Sequence, residues 1–547
     1  MKTIIVGGVA GGASAAARLR RLDEKAEIIL LERGEFVSFA NCGLPYYIGG
    51  VIKDKENLKV QTPQRFKSRF NVDVRVCHEA IEILSKQKLI RVKDLKTNEI
   101  YEESYDTLVL SMGAAPIVPK IEGVHLEHVF TLRNIPDTVK IKEYIHKHNA
   151  RNAVVVGGGY IGMEMAENLH AAGLEVSVVE LADHLIAALD LDMACEVHQY
   201  VRQKGIKLYL KNGLKEIQKD KVVLEEGELL ADIVILSVGV RPDTELVKTC
   251  GIHTNARGSI LVDQHMRTNV LDIYAVGDAV EVQNFITKAP AFIPLAGPAN
   301  KQGRIAADCI AGHSSKYLGS QGSAILKLFD MTVATTGLNE KNAEAAKIEY
   351  EKTYLYAASH ASYYPGGKGM SIKAIWDKKT LQILGAQIVG FDGVDKRMDI
   401  LATAIRFHAK ITDLASLELC YAPPFGSAKD PINMLGFVAE NISTGKFNQF
   451  FWHDVKRLPL DGSVTLLDVR TKAEIEGGKI NGFISIPLDE LREHLDELPK
   501  DKPVFIHCHS GLRSYIACRI LTGYGYTSYS LAGGWRLYAK ALEEGIL

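Results

Sequence analysis

Apolar residues early in the chain fall in short, nearly continuous runs bounded by glycine turns and alternating with helical stretches. That is the pattern of parallel strands buried on both faces and joined by helices. Residues 3–32 read as a strand (Thr3-Ile4-Ile5-Val6), a turn with Gly7, Gly8, Gly11 and Gly12, an alanine-rich helix, a strand from Ile28 to Leu31 and a terminal Glu32. Residues 153–180 repeat the plan: Ala153-Val154-Val155-Val156, then Gly157-Gly158-Gly159-Tyr160-Ile161-Gly162, a helix through Ala172, and Val176 to Val179 ending at Glu180. Two more buried runs, 108–113 and 233–239, each end in glycine, as expected where a chain crosses between nucleotide domains.

The repeat predicts two dinucleotides. In such a turn the first glycine permits the tight bend, the second lets backbone approach a pyrophosphate, and the third lets helix pack on strand, while the helix N-terminus favours the anion. The terminal acid, Glu32 or Glu180, accepts from ribose hydroxyls. The first copy has Val9 at the middle glycine position, so its backbone approaches a phosphate less freely; the second copy is complete. Glu180, with no arginine immediately following, repels a 2′-phosphate and favours NADH over NADPH. Ile273-Tyr274-Ala275-Val276-Gly277-Asp278 reads as a strand whose Gly-Asp end places a carboxylate and a helix N-terminus against a flavin, or whose Asp simply caps the next helix.

Ten residues beyond Glu32 stands Cys42, in Ser38-Phe39-Ala40-Asn41-Cys42-Gly43-Leu44-Pro45-Tyr46, with no second cysteine beside it. A flavin along the first unit would leave Cys42 to pair with a substrate sulfur or oxygen.

Composition narrows the class. With 547 residues, 47% hydrophobic and 24% charged, roughly three to four domains are expected. A net charge of −1 gives no bulk attraction for nucleic acid or anionic membrane. The eight cysteines lack short paired spacing, which argues against a disulfide framework, a zinc site or any other metal centre and suits a reducing, cytoplasmic setting. No run approaches the roughly 20 apolar residues of a membrane span. Lys2, the apolar run and Ala13-Ser14-Ala15 also resemble a short secretory signal, though they serve better as strand and turn.

On these residues, the chain from 1 to about 440 resembles the pyridine nucleotide-disulfide oxidoreductase family, and the Cys42 segment resembles its coenzyme A-disulfide reductase branch. The resemblance implies FAD, held by Gly7, Gly12, Glu32 and Asp278, and NADH (or NADPH), held by Gly157, Gly159, Gly162 and Glu180. It implies a dimerisation domain from about 321, sending Tyr421 and Tyr363 toward the partner's redox cysteine; Tyr364 is too close in sequence to separate. An apolar-flanked tyrosine is also a common packed residue. Coenzyme A contacts are implied at Ser14, Arg18, Arg21, Ser38 and Asn41, with Asn300 and Lys429 as further candidates. The peroxidase and oxidase branch also uses one cysteine, but usually with a histidine in the first glycine turn, where this chain has Val9-Ala10-Gly11-Gly12.

The last hundred residues carry Thr465-Leu466-Leu467-Asp468-Val469-Arg470, Gly478-Lys479-Ile480-Asn481-Gly482 and Val504-Phe505-Ile506-His507-Cys508-His509-Ser510-Gly511-Leu512-Arg513-Ser514. This resembles a rhodanese domain. Cys508 ends a strand before a curled loop and a helix, so backbone N–H groups and the helix dipole converge on its sulfur, a setting that favours a persulfide's negative charge. Arg513 lies five positions on. The bland reading is a buried structural cysteine, as expected for Cys518.

The expected architecture is therefore α/β: two Rossmann-like dinucleotide-binding domains (1–112 with 255–320 for FAD, 113–254 for NAD(H)), an α+β dimerisation domain (321–445), a linker (446–460) and a C-terminal α/β rhodanese domain (461–547). The expected function is NAD(P)H-dependent, FAD-linked reduction of coenzyme A persulfide, polysulfide or coenzyme A disulfide through Cys42. Cys508 and Arg513 would handle sulfane sulfur, and the enzyme would be a homodimer. The alternative is an NADH oxidase or peroxidase cycling Cys42 through sulfenic acid.

Overall fold

The computed structural model describes residues 1–547, which divide into two compact units, 1–183 with 205–322 and 184–204 with 323–547. In the first unit, the strands Ile273–Ala275, Thr107–Leu110, Lys2–Val6, Glu27–Glu32 and Asp73–Val76 form one parallel sheet in that order. A second sheet runs Lys207–Leu210, Glu175–Glu180, Asn152–Val156, Ile233–Leu236 and Val129–Phe130. In both, the strand opening the glycine fingerprint sits at the centre, where the strand order reverses and ligands of such sheets bind. Ile4, Ile5, Leu30, Val154 and Val155 are fully buried, as both-face coverage requires.

Small residues let the helices close over the first sheet. The Ala10–Leu22 helix packs on the Ala296–Ile310 helix. A Cβ added at Gly303 would lie 2.2 Å from the Gly11 carbonyl oxygen, so the approach depends on glycine there.

The second unit holds an antiparallel sheet, Ala324–Leu328, Met331–Gly337, Ile383–Gly390, Gly369–Asp377 and Tyr350–Ala358. It also holds a parallel sheet, Asn448–Phe450, Ser528–Leu531, Val504–His507, Thr465–Asp468 and Ile484–Ser485. The mixed α/β class matches the expectation. Three details differ. The stretch expected as a linker supplies strand Asn448–Phe450, which pairs with Ser528–Leu531 and so extends that sheet. Asp278 stands in the single 3-10 turn Gly277–Ala279 and not at the start of a helix; the Ala296–Ile310 helix, 18 residues on, packs against that turn, where Gln302 accepts from Gly277 N–H (2.7 Å).

The third difference is the Leu191–Gln203 helix, which follows the second nucleotide fingerprint in sequence but packs within the second unit. Its polar side chains explain this. Asp192 meets the fully buried Lys373 (2.9 Å), Glu196 accepts from Ser371 (2.6 Å), and His198 meets Glu544 (3.0 Å). No helix is long and apolar enough to cross a membrane.

Candidate functional site

The two glycine turns are built alike. Gly7 and Gly157 have φ of +96° and +106°, and a Cβ on either would lie 2.1 or 2.4 Å from the carbonyl oxygen of Ser111 or Ser237. Glu32 accepts from the N–H groups of Gly8 (2.9 Å) and Gly34 (2.7 Å), and Glu180 from those of Gly158 (2.6 Å) and Ala182 (2.8 Å). Each acid thus braces its own turn with part of its acceptor capacity, leaving lone pairs for a ribose. Neither the Ala10–Leu22 nor the Tyr160–Ala171 helix has a side-chain cap, and nothing lies within 4 Å of a Cβ placed on Gly159. Helix starts without a side-chain cap suit a pyrophosphate, and the second turn adds open space at Gly159, so the donor set fits a dinucleotide at both turns. Burial pushes the Asp278 carboxyl up, against the attraction of Arg133.

Cys42 sits in the 3-10 turn Asn41–Gly43, just before the Leu44–Ile48 helix. Ser38, at a left-handed φ of 46°, anchors that segment. Its N–H donates to Gly8 O (2.8 Å), and its carbonyl accepts from Val60 (2.9 Å) and Gln61 (3.1 Å). The cysteine side chain is exposed, yet the surrounding protein withholds enough water to push its thiol up, and the charges of Glu164 and Asp278 push the same way.

Glu164 was not expected. It lies on the helix of the second fingerprint, accepts from Tyr46 Oη at 3.3 Å, and is held at about 7 by burial, with Glu167 adding repulsion and the Tyr46 hydrogen bond opposing. Burial and Glu164 also push the Tyr46 phenol up. A carboxyl poised between protonated and ionised at neutral pH, close enough to a thiol to alter its ionisation, is equipped to move a proton.

The expected coenzyme A contacts separate. Ser14 Oγ donates to Asn300 Oδ1 (2.5 Å), which brings two of them together, and Arg21 and Asn41 are exposed. Arg18 donates through Nε to the buried Asp308 (2.6 Å), which fixes a side chain that stays 22% exposed. Lys429 is exposed on the second unit.

In the second unit, Tyr363 and Tyr421 are 72% and 47% exposed and join hydroxyl to hydroxyl at 2.6 Å. That hydrogen bond pushes the Tyr363 phenol up. Their loops are tied at the root as well, where Ala361 N–H donates to Gly426 O (3.0 Å). The buried Arg397 donates through Nη2 to both Asp430 Oδ2 and Ser359 O, each at 2.8 Å. Tyr364 packs edge-on against His360 instead.

Cys508 is buried, with Gly511 N–H donating to its Sγ at 3.1 Å; Ser514 Oγ lies 3.5 Å from the sulfur, donates to Gly511 O (3.0 Å) and accepts from Ser530 Oγ (2.9 Å). The loop carbonyls of Cys508 and His509 accept from Trp535 and Arg536 N–H (2.7 and 2.9 Å) at the start of the C-terminal helix, which holds the loop's curl. Arg513 does not turn its fork to the sulfur: it grips Glu474 with both arms, at 2.6 and 2.7 Å. Burial pushes the Cys518 thiol up to about 12, in keeping with a core residue.

The comparisons with known proteins divide the chain in the same order. Residues 1–302 match the family model for pyridine nucleotide-disulphide oxidoreductase, residues 323–430 its dimerisation domain, and residues 452–541 a rhodanese-like domain. A coenzyme A disulfide reductase of Staphylococcus epidermidis is 36% identical over 441 residues, covering 80% of this chain and 100% of the relative. The crystal structure of reduced Bacillus anthracis CoADR-RHD superposes with a TM-score of 0.98 at 48% identity, covering 99% of this chain and 98% of that one. An NAD-dependent persulfide reductase from A. fulgidus superposes at 0.92 with 36% identity, covering 98% and 100%. With its paired glycine turns, lone Cys42 and cradled Cys508, the chain belongs to the pyridine nucleotide-disulphide oxidoreductase family and carries a rhodanese domain at its C-terminal end.

Proposed function

We propose that the protein is an NADH-dependent, FAD-linked reductase of coenzyme A persulfide or disulfide, in which Cys42 exchanges with the substrate sulfur and Cys508 carries sulfane sulfur. The observation that carries this reading is the coexistence in one chain of a lone thiol beside a dinucleotide fingerprint and a second thiol cradled by backbone N–H. The names of the relatives point the same way.

FAD is assigned to the turn of Gly7, Gly12 and Glu32 with Asp278, and NADH to Gly157, Gly159, Gly162 and Glu180; the carboxylate of Glu180 disfavours a 2′-phosphate. A flavin bound there supplies two-electron chemistry between nicotinamide and sulfur. The protein's own groups do the rest. Glu164 takes the Cys42 proton. The thiolate attacks the substrate S–S bond and expels coenzyme A thiolate or hydrosulfide, leaving a sulfur–sulfur bond on Cys42 to be reduced. Tyr363 and Tyr421, supplied by the partner of a homodimer, protonate the departing sulfur. Ser14, Asn300, Ser38, Asn41 and Arg21 line the path proposed for coenzyme A.

The test is steady-state NADH oxidation against coenzyme A persulfide, coenzyme A disulfide and polysulfide in wild type, Cys42→Ser and Cys508→Ser. Loss of Cys42 abolishes every reaction; loss of Cys508 impairs only substrates entering by sulfur transfer. Equal loss throughout refutes the division of labour, and retained peroxide-dependent NADH oxidation without sulfur turnover favours the oxidase or peroxidase alternative.

A further inference from the structure

Sulfur donors for a thiol such as Cys508 fall into two chemical classes: thiol persulfides, whose reacting sulfur carries at most one negative charge, and sulfonate-type donors such as thiosulfate, a compact dianion. The second class needs an unopposed cation beside the thiol. Three guanidinium groups act on His509, the residue next to Cys508, and each is answered by a carboxylate. Arg470 is buried, pairs with Asp468 at 2.7 Å and stacks over Trp535 at 4.7 Å. Arg536 lies over the Tyr356 ring at 4.3 Å, with Ser371 Oγ at 3.3 Å and Glu196 at 3.5 Å.

Arg513, whose charge also acts on Cys508, is two-thirds buried and gripped by both oxygens of Glu474, itself two-thirds buried. Glu474 is doubly fixed, because its side chain also accepts from Thr471 N–H (3.0 Å) and Oγ1 (3.0 Å) in a capping box at the start of the Lys472–Glu476 helix. The Arg513 hydrogen bonds hold its carboxyl at about 2. It is therefore ionised at every pH at which the enzyme would work. Burial pushes the His509 imidazole down, so this group adds little positive charge at neutral pH.

We infer that Glu474 is a specificity-determining residue of the Cys508 site, cancelling the Arg513 charge so that the site accepts sulfane sulfur from thiol persulfides and discriminates against sulfonate-type dianions. Its substrate class is a persulfide whose other charges lie away from the sulfur. In the transfer, Cys508 thiolate attacks the terminal sulfur of the persulfide. A new S–S bond forms at Sγ, the donor S–S bond breaks, and its electron pair leaves on the inner sulfur, which takes the donor's proton. Cys508 becomes a persulfide whose charge meets the Gly511 N–H, and no oxidant or reductant is consumed.

The assignment rests on Cys508 being the sulfur acceptor of the proposed function, but its test needs neither NADH nor Cys42. Full-length wild type, Glu474→Gln and Glu474→Asp are mixed anaerobically with thiosulfate or with glutathione persulfide, and sulfur on the Cys508 peptide is followed by mass spectrometry after rapid quench. Glu474→Gln frees the Arg513 charge and raises the second-order loading rate with thiosulfate on the order of tenfold, the lower end of what a focused charge does to an ionic encounter. Loading from glutathione persulfide changes less than about threefold by the same reasoning. Glu474→Asp, which keeps the charge, retains the wild-type preference. In Glu474→Gln the thiosulfate gain fades as salt rises. An unchanged thiosulfate-to-persulfide ratio in Glu474→Gln overturns the assignment while leaving Cys508 as acceptor. Failure of every donor to load Cys508 in wild type overturns both.

Discussion

Replacing Arg397 tests whether the two exposed tyrosines are positioned from beneath. Arg397 is 1% and Asp430 3% exposed. The guanidinium makes contacts at 2.8 and 3.4 Å to Asp430, 2.8 Å to Ser359 O and 3.3 Å to Gly393 O. Asp430 also caps the Pro431–Ser443 helix through Ile432 N–H at 3.0 Å, so it cannot swing out to water without uncapping that helix. Arg397→Met leaves this buried carboxylate with only Lys396 Nζ, 3.9 Å away, as a cationic partner, which costs about 3 kcal/mol, the lower end for breaking a buried pair. Arg397→Met/Asp430→Asn removes the stranded charge while keeping a capping side chain, and should recover about half or more of that loss.

The assay is denaturant unfolding of the four proteins of the cycle at pH 8. Alongside it, kcat and KM are measured with coenzyme A disulfide, because the Ser359 and Asp430 ends of the two tyrosine loops lose their common anchor. A positioning role predicts that Arg397→Met lowers kcat in native buffer, where the fold persists, and that Tyr363→Phe/Arg397→Met is no worse than the more damaging single change. A stability loss under about 1 kcal/mol, or Arg397→Met/Asp430→Asn no more stable than Arg397→Met, refutes the reasoning.

Three further outcomes follow from the same physics. Glu164, held at about 7 in the folded chain, should give disulfide reduction a pH limb near that value; Glu164→Gln retains the flavin spectrum, loses the limb and slows reduction about a hundredfold. Its fold linkage has the opposite sign to a salt-bridged acid, since a raised carboxyl favours the native state below about 4.5 and that advantage vanishes as pH rises through 7, so Glu164→Gln is the more stable protein at pH 8. Burial pushes the His507 imidazole down to about 4, with its Nε2 3.3 Å from Asp468 but out of line for a hydrogen bond. A depressed histidine contributes stability above about 6.5 that is lost as pH falls toward 4, up to about 3 kcal/mol, and calorimetry of His507→Asn should show a flatter profile across that window.

The nucleotide fingerprints were legible because geometry leaves glycine little choice: Gly7 and Gly157 take positive φ against a neighbouring carbonyl, and the flanking runs are buried on both faces. The mixed α/β class followed from those runs. Other features were not legible, for identifiable reasons. The Leu191–Gln203 helix shows an apolar stripe in Met193, Ala194, Val197 and Val201, but a stripe says that a helix packs and not on what. Its destination is set by Asp192, Glu196 and His198, whose partners Lys373, Ser371 and Glu544 are at least 175 residues away in sequence.

The Arg18 ion pair was not legible, because an arginine on a helix gives no sign of Asp308, 290 residues on. Glu164 and Arg397 carry no local sequence signal of their roles; only burial reveals them. The Thr471-x-x-Glu474 spacing is a local capping pattern, but nothing local ties that acid to Arg513, 39 residues on.

The central claim, that Cys42 is the sulfur that receives the substrate, is tested most directly by trapping. NADH-reduced, flavin-loaded protein is mixed anaerobically with coenzyme A disulfide, acid-quenched within the first turnover and mapped by peptide mass spectrometry. The account predicts a coenzyme A adduct on the Cys42 peptide that disappears with further NADH and is missing in Cys42→Ser. Turnover that continues in Cys42→Ser, or an adduct confined to another of the eight cysteines, contradicts it.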